Sequence, residues 1–356
     1  MVEKRGYVVM DENTPLKRKR QTKKQKSPLW KKILIFLAFE LVFSAITMPL
    51  LVFYGPFDNL KKNIVGMSWN TLSHQWIAKM FMSDRAIYKL VNTEASIESA
   101  ELGEKMQDLK FTVSNDNKIE VKDIQGDISA KLMIVHNPRK IQLMYSNKLK
   151  TDKNANSNEV VAGEKTSDMA KRNKAIGGIN AGGFKDISAG GNNWTGTGGL
   201  PMGFIIHNGE LVYNEYADSV RQETVAFDDR GMLIVGKYSV NELKDKNVKE
   251  AVSFGPTLIV NGKKSSLPYW GPQPRTAIGQ RKDGAVLLLV VDGRSIKNMG
   301  ATLNQIQDIL YKYGAVNAAN LDGGSSTTMC YKGKVINRPS DNLGERTIAT
   351  AFIVMP

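Results

Sequence analysis

The chain has 356 residues, with 49 Lys/Arg against 35 Asp/Glu for a formal net charge of +14, one cysteine and three histidines. It is longer than a typical domain of about 100 to 200 residues and long enough to bury a substantial core. A lone Cys330 excludes an intramolecular disulfide and reads as a small buried hydrophobe, and the scattered His74, His136 and His207 leave no Cys/His spacing of the zinc type.

Half of the charge excess lies at the start, where residues 1–56 carry 11 Lys/Arg and 4 Asp/Glu. Residues 1–32 read as a basic cytoplasmic tail without structure of its own. Residues 33–54 form a largely apolar run, and about 20 helical residues cross the roughly 30 Å hydrocarbon layer, so one transmembrane helix is expected. Glu40 near its start reaches the interface or is protonated rather than marking a proton path, and Pro49 kinks or ends the span. Lys17, Arg18, Lys19, Arg20, Lys23, Lys24, Lys26, Lys31 and Lys32 precede the run and mark the cytoplasmic side. The expected location is the cell membrane, single-pass, with the N-terminus cytoplasmic and the C-terminal domain extracellular. A cleaved signal peptide is the rival, against which stand the long charged leader and the absence of an Ala-x-Ala site. Topology and anionic lipid account for the basic run, so no nucleic-acid partner is expected.

Residues 55–110 read as a partly helical stalk, with Ile77, Met80, Phe81 and Ile87 in near-helical spacing, and a folded domain is expected over residues 111–356. Residues 118–124, 130–136 and 141–145 are strand-like. Asn208-Gly209 and Asn261-Gly262 each follow an apolar run and predict two hairpins, since both turn positions need φ > 0. Residues 285–291 are apolar throughout, as in a strand buried on both faces, and end at Asp292. Thr302 with Gln305 gives a capping-box pattern; Leu303, Ile306, Ile309, Leu310 and Tyr313 keep one apolar face, and Gly314 suits the C-terminal cap. A further strand over 315–321 ends at Asp322. Strand, helix and strand with an acid at each C-terminal end is how α/β proteins place ligands.

The segment Asn320-Leu321-Asp322-Gly323-Gly324-Ser325-Ser326-Thr327-Thr328 joins a carboxylate to glycines and hydroxyls with little bulk, the composition of a site or of a tight turn. Other glycine-rich or charged clusters are Asn180-Ala181-Gly182-Gly183, Pro274-Arg275-Thr276, Asp292-Gly293-Arg294 and Gly344-Glu345-Arg346. Arginine presents a planar fork of donors suited to phosphate, so Arg275, Arg294 and Arg346 together could bind an anion, although each alone is more often a surface ion pair. Asp292 and Asp322 are a carboxylate pair for acid/base or nucleophilic work on a sugar, or caps of their turns. Nothing matches the Gly-x-Ser-x-Gly elbow of a serine hydrolase or a Gly-Lys-Ser/Thr P-loop. The glycine-rich residues 190–203 read as a loop bordering the site, with Trp194 as a candidate stacking residue for a sugar, or equally as a plain surface loop.

Taken in order, Asn180 to Phe184, Ser253-Phe254-Gly255-Pro256, the Arg275, Asp292 and Asp322 clusters and Arg346 resemble the phosphodiester glycosidase family, which includes the uncovering enzyme and bacterial proteins of exopolysaccharide biosynthesis. The resemblance covers about residues 115–356. It implies an α+β fold, a mixed β-sheet domain with flanking helices, which the transmembrane helix read from the apolar run would precede. It implies cleavage of a sugar-1-phosphodiester on the sugar side, in a glycosyl-phosphate polymer or glycoconjugate. Carried over by motif, Asn180, Arg275, Asp292, Asp322 and Arg346 would be catalytic, and Gly182, Gly183, Arg294, Gly323, Gly324, Ser325 and Ser326 would bind substrate. Arg275 and Arg346 are expected to hold the phosphate, Asp322 to serve as acid/base or nucleophile and Asp292 to assist it. No cofactor is demanded, and a divalent metal held by the acids stays open. The uncovering enzyme continues into Cys-rich regions whereas this sequence ends at Pro356, so a bacterial envelope or exopolysaccharide substrate is expected. The alternative is a non-catalytic polysaccharide-binding or assembly factor.

Overall fold

The computed structural model describes residues 28–69, 74–92, 114–149, 161–185, 197–295, 298–341 and 343–356. The expected tail through residue 27, the stalk from 93 to 110, the domain start at Phe111 and Trp194 lie outside the described residues. Two compact units result, Met1–Pro56 and Phe57–Pro356.

The first unit contains α1 (Leu29–Tyr54), 26 residues that begin four positions before the apolar run and continue through Pro49. At 1.5 Å per residue it is about 39 Å long. Its apolar side chains, Leu34, Phe36, Phe39, Leu41 and Phe43 among them, are exposed. A helix apolar all round is of the membrane-crossing kind, and α1 meets that description by length and composition, as a signal sequence also would.

The second unit opens with α2 (Asp58–Trp69), α3 (Gln75–Lys79) and α4 (Asp84–Val91). Strands β1 (Ile119–Ile124), β2 (Ala130–Val135), β3 (Ile141–Tyr145) and β4 (Glu164–Lys165), helix α5 (Thr166–Arg172) and strand β5 (Gly177–Asn180) follow. Next come β6 (Phe204–His207), β7 (Glu210–Asn214), β8 (Gln222–Asp228), β9 (Leu233–Tyr238), α6 (Val240–Asp245), β10 (Val248–Ser253), β11 (Thr257–Val260) and β12 (Lys263–Lys264). The chain closes with β13 (Arg275–Arg281), β14 (Val286–Val291), α7 (Leu303–Lys312), β15 (Ala315–Leu321), β16 (Met329–Tyr331), β17 (Lys334–Val335), β18 (Thr347–Ile348) and β19 (Thr350–Val354).

This is an α+β fold. A seven-stranded sheet has the order β1-β2-β14-β13-β15-β11-β12, and two five-stranded sheets have the orders β7-β6-β10-β8-β9 and β17-β16-β5-β19-β3. Both Asn-Gly hairpins form, β6–β7 and β11–β12, with φ of +52° and +81° at Asn208 and Gly209 and of +50° and +76° at Asn261 and Gly262.

Strand alternation divides the interior into two cores. From the large sheet, Met133, Val135, Ile278, Val286, Leu288, Val290 and Leu321 enter the core shared with the two smaller sheets. Their neighbours Leu132, Ile134, Ala277, Leu287, Leu289 and Val291 face Leu303, Ile306 and Leu310 of α7. Thr302 and Gln305 cap α7 reciprocally, and Gly314 follows it at φ +88°.

The strand, helix and strand of the sequence reading form a crossover with one difference. Strand β13 lies between β14 and β15 and is antiparallel to both, so those two run the same way without touching. Their C-terminal ends therefore share one sheet edge with the start of β13.

Strand β5 lies between β16 and β19, and glycine permits that close approach. A Cβ at Gly178 would sit 2.6 Å from the Phe352 carbonyl oxygen, and one at Gly177 2.6 Å from that of Cys330. Cys330 itself is buried, and burial pushes its thiol pKa up to about 12. Gly178→Ala should lower stability by about 2 kcal/mol through overpacking, read as a lower midpoint in chemical denaturation of the full chain; an unchanged midpoint would mean that β19 yields freely.

Candidate active site

Register assembles the site. Arg275 pairs with Val291 and Thr276 with Leu321, so Asp292 and Asp322, each one residue beyond its strand, flank Pro274. They are two strand spacings apart, roughly 10 Å between backbones.

The Asn180 carboxamide fixes the Asp322 side of this edge. It is fully buried at the end of β5, and its Nδ2 donates to the Asp322 carbonyl. Its Oδ1 accepts from Thr276 Oγ1 at 2.7 Å and from the Thr328 N–H at 3.1 Å. The Asp322 N–H donates to the Ala181 carbonyl at 2.9 Å. Asn180 thus joins β5, β13 and the Asp322-to-Thr328 segment, and both ends of its amide are occupied within the protein.

Arg275 is buried, and desolvation brings its guanidinium pKa down to about 9. Its Nε donates to the Ala301 carbonyl at 3.0 Å and its Nη2 to the Gly271 carbonyl at 2.9 Å. In the orientation that matches donors with acceptors, the Gln273 carboxamide oxygen takes both terminal nitrogens at 2.9 and 3.0 Å. Arg275 therefore ties the 270–273 segment to Ala301, with its donors spent on protein oxygens.

The other two arginines converge on the glycine-rich segment. Arg346 Nη1 donates to Ser325 Oγ at 3.1 Å, and its guanidinium lies 4.9 Å from the centre of the Phe184 ring. Arg294 is exposed, with its backbone at φ +56°, a left-handed conformation costing about 1–2 kcal/mol in a residue with a side chain. Its guanidinium lies over Gly324, itself at φ +60°, where a Cβ would stand 3.0 Å from Nη2. Protein mass around the Arg294 guanidinium lowers its pKa first, repulsion from Arg346 lowers it further, and Asp341 opposes both. Two neighbouring guanidiniums beside Gly324 form an arrangement that could hold an anion.

Asp292 is half-buried, and burial raises its pKa above the ordinary carboxylate range. The Arg338 N–H at 2.9 Å and Asn337 Nδ2 at 3.2 Å, both bonded to Oδ1, oppose that shift. Gly182 donates its N–H to Thr350 Oγ1, and a Cβ at Gly183 would lie 2.8 Å from the Phe254 ring, so both pack tightly beside Asn180. A Cβ at Gly323 would lie 2.8 Å from the Pro274 carbonyl oxygen. Ser326 is buried under the segment, with its N–H bonded to Gly323.

Sequence reasoning missed Glu223 in β8. Burial raises its pKa, Thr257 Oγ1 donates to it at 3.3 Å, and its carboxylate lies 2.9 Å from where a Gly255 Cβ would stand. Asn320 links Gly255 to the Asp322 strand through a 2.9 Å bond to the Gly255 carbonyl. No local glycine cluster accompanies Glu223, so only the fold brings it beside Ser253 to Pro256. Among the described residues, no group of three His, Cys, Asp or Glu side chains is placed to hold a metal.

Residues 173–355 match the model of the phosphodiester glycosidase family (NAGPA). The SPbeta prophage-derived uncharacterized protein YomE of Bacillus subtilis (strain 168) is 31% identical over 198 residues, which are 53% of this chain and 29% of that protein. The N-acetylglucosamine-1-phosphodiester alpha-N-acetylglucosaminidase of Bos taurus is 41% identical over 68 residues, 19% of this chain and 13% of that enzyme. The matches thus span less than a third of the length of these curated relatives. In fold, the chain is similar to the catalytic domain of the zebrafish enzyme of that name, solved auto-inhibited by its pro-peptide, with a TM-score of 0.55 and 21% identity over 74% of this chain and 94% of that one.

Stability should report the Asp292 environment. A carboxyl whose folded pKa is raised favours the native state while protonated, and that advantage is lost as pH rises from the ordinary carboxylate pKa through the raised one. The difference in denaturation midpoint between Asp292→Asn and the parent should therefore move in favour of the variant between pH 4 and pH 7. A difference constant with pH would place the Asp292 carboxyl in an ordinary aqueous environment.

Proposed function

The chain belongs to the phosphodiester glycosidase family, and we propose that it hydrolyses the bond between the anomeric carbon and phosphate of a sugar-1-phosphodiester. One observation carries the reading: Arg294 and Arg346 meet over Gly324 and Ser325, immediately beyond Asp322.

Charge explains why that pairing suits the reaction. When the anomeric C–O bond breaks, the phosphate passes from a singly charged diester to a monoester whose second ionisation lies near pH 6. The leaving group needs positive charge more than a proton, and preorganised guanidiniums supply it where the charge grows. Arg346, steadied by Ser325 and Phe184, and Arg294 hold the phosphate oxygens. Asp322 is the nucleophile, or the base that takes a proton from water, and Asp292 assists it. Arg294 takes the phosphate contact that the motifs suggested for Arg275, whose donors already serve carbonyls. Arg275 and Asn180 are positioning residues, while Gly182, Gly183, Gly323, Gly324 and Ser326 let the segments pack closely enough to form the site.

We also read α1 as a single membrane span, with the basic cluster cytoplasmic and residues 57–356 outside. Glycosyl-phosphate material of the cell envelope or exopolysaccharide is then the substrate within reach.

The test is release of reducing sugar from a panel of glycosyl-1-phosphodiesters and teichoic-acid-like polymers. The parent should release sugar, Asp322→Asn none above background, and Arg346→Met should lose about 10²- to 10³-fold in kcat/KM, as removal of a group that stabilises developing charge does. Activity retained by Asp322→Asn would remove that carboxylate from the mechanism. A parent that binds polymer and releases nothing would favour an assembly factor.

A further inference from the structure

A cavity of about 390 Å³ lies between the helices α2 and α3 and the Gln273 and Arg294 end of the site. Its helical wall has Ile64, Met67 and Ile77 as apolar lining, with Ser68 and His74 beside them. The wall is fastened to the sheet side. Tyr269 N–H donates to the Val91 carbonyl at 2.8 Å, the Tyr269 hydroxyl bonds Asn63, and a Cβ at Gly271 would lie 2.9 Å from Met67 Cγ. The helices are thus packed against the segment that Arg275 clamps.

Arg294 belongs to both places. It lines this cavity, and its guanidinium stands over Gly324 in the anion site beside Arg346. Arg294 is therefore shared by an apolar recess and the Gly324 side of the site. Simple sugar or polyol phosphates leave such a recess unused, whereas an amphiphile with an anionic head and an alkyl tail matches both its charge and its wall.

The geometry points to a glycosyl phosphodiester of a lipid alcohol as the substrate, with its phosphate between Arg294 and Arg346 and the first part of its alkyl chain against Ile64, Met67 and Ile77. The inference rests on the phosphodiester glycosidase reading above. The step balances with water alone. Water oxygen bonds to the anomeric carbon, the bond from that carbon to the phosphate oxygen breaks, one water proton passes to the site carboxylate and on to solvent, and the products are free sugar and an alkyl phosphate.

The experiment compares methyl and decyl esters of one glycosyl-1-phosphate as substrates of the full chain in phosphatidylcholine nanodiscs, which keep detergent out of the cavity. The parent should prefer the decyl ester by tenfold or more in kcat/KM, since each buried methylene favours binding. Ile64→Trp, which fills the cavity, and Ile77→Gln, which makes its wall polar, should bring that ratio down toward one. The ratio is internal to each variant, so a misfolded variant shows itself by losing both substrates. A parent ratio near one, or a ratio unchanged in both variants, overturns the lipid assignment even while methyl ester hydrolysis upholds the glycosidase. If neither ester is cleaved the glycosidase reading fails, and calorimetry with decyl phosphate and methyl phosphate decides the cavity. Tighter decyl phosphate binding that the two variants abolish supports it, and equal binding overturns it.

Discussion

The buried carboxamide of Asn180 is the constraint on which the candidate site depends. Its three bonds reach the carbonyl of Asp322, the hydroxyl of Thr276 and the N–H of Thr328. A small sheet, the large sheet and the glycine-rich segment are thereby joined at one point from which water is excluded. An unmatched amide group in such a place would cost about 1–3 kcal/mol, so each partner is held to its position by the others. Asp322 is consequently held at its place by bonds to its own backbone carbonyl and N–H.

The three arginines divide their labour according to burial. Arg275 has no carboxylate among its bonded partners and spends its donors on carbonyls, an arrangement that lowers its pKa through desolvation. Arg294 and Arg346 stand where their charges add, and Arg294 registers the repulsion. Proximity of like charges in a folded protein opposes folding until an anion arrives, so a site of this kind favours its ligand partly by relief of that repulsion.

Local chemistry made much of the fold legible in the sequence. Asn-Gly pairs located both hairpins, an unbroken apolar run gave β14, and Thr302 with Gln305 gave the start of α7. Each of these signals is complete within a few residues. Strand order is different in kind, because nothing in residues 275–281 says that they separate β14 from β15, and that insertion is what sets the spacing of Asp292 and Asp322. The same limit applies to the site. Glycines and acids in clusters drew attention to the segments that the fold brings together at the candidate site, but the roles proposed for Arg275 and Arg294 depend on which donors are already satisfied, a property of packing. Glu223 carried no local mark at all, and its environment is made by Gly255 and Thr257, which lie far from it in sequence.

Cys330 gives this protein a built-in reporter. It is the sole thiol of the chain, lies buried in the strand that pairs with Gly177 and Gly178, and stays protonated far above neutral pH. A thiol in that state is inert to alkylation until its surroundings open. Its labelling rate in the native protein therefore counts the openings of β16 and its neighbours, without an engineered probe and without a second cysteine to confuse the signal.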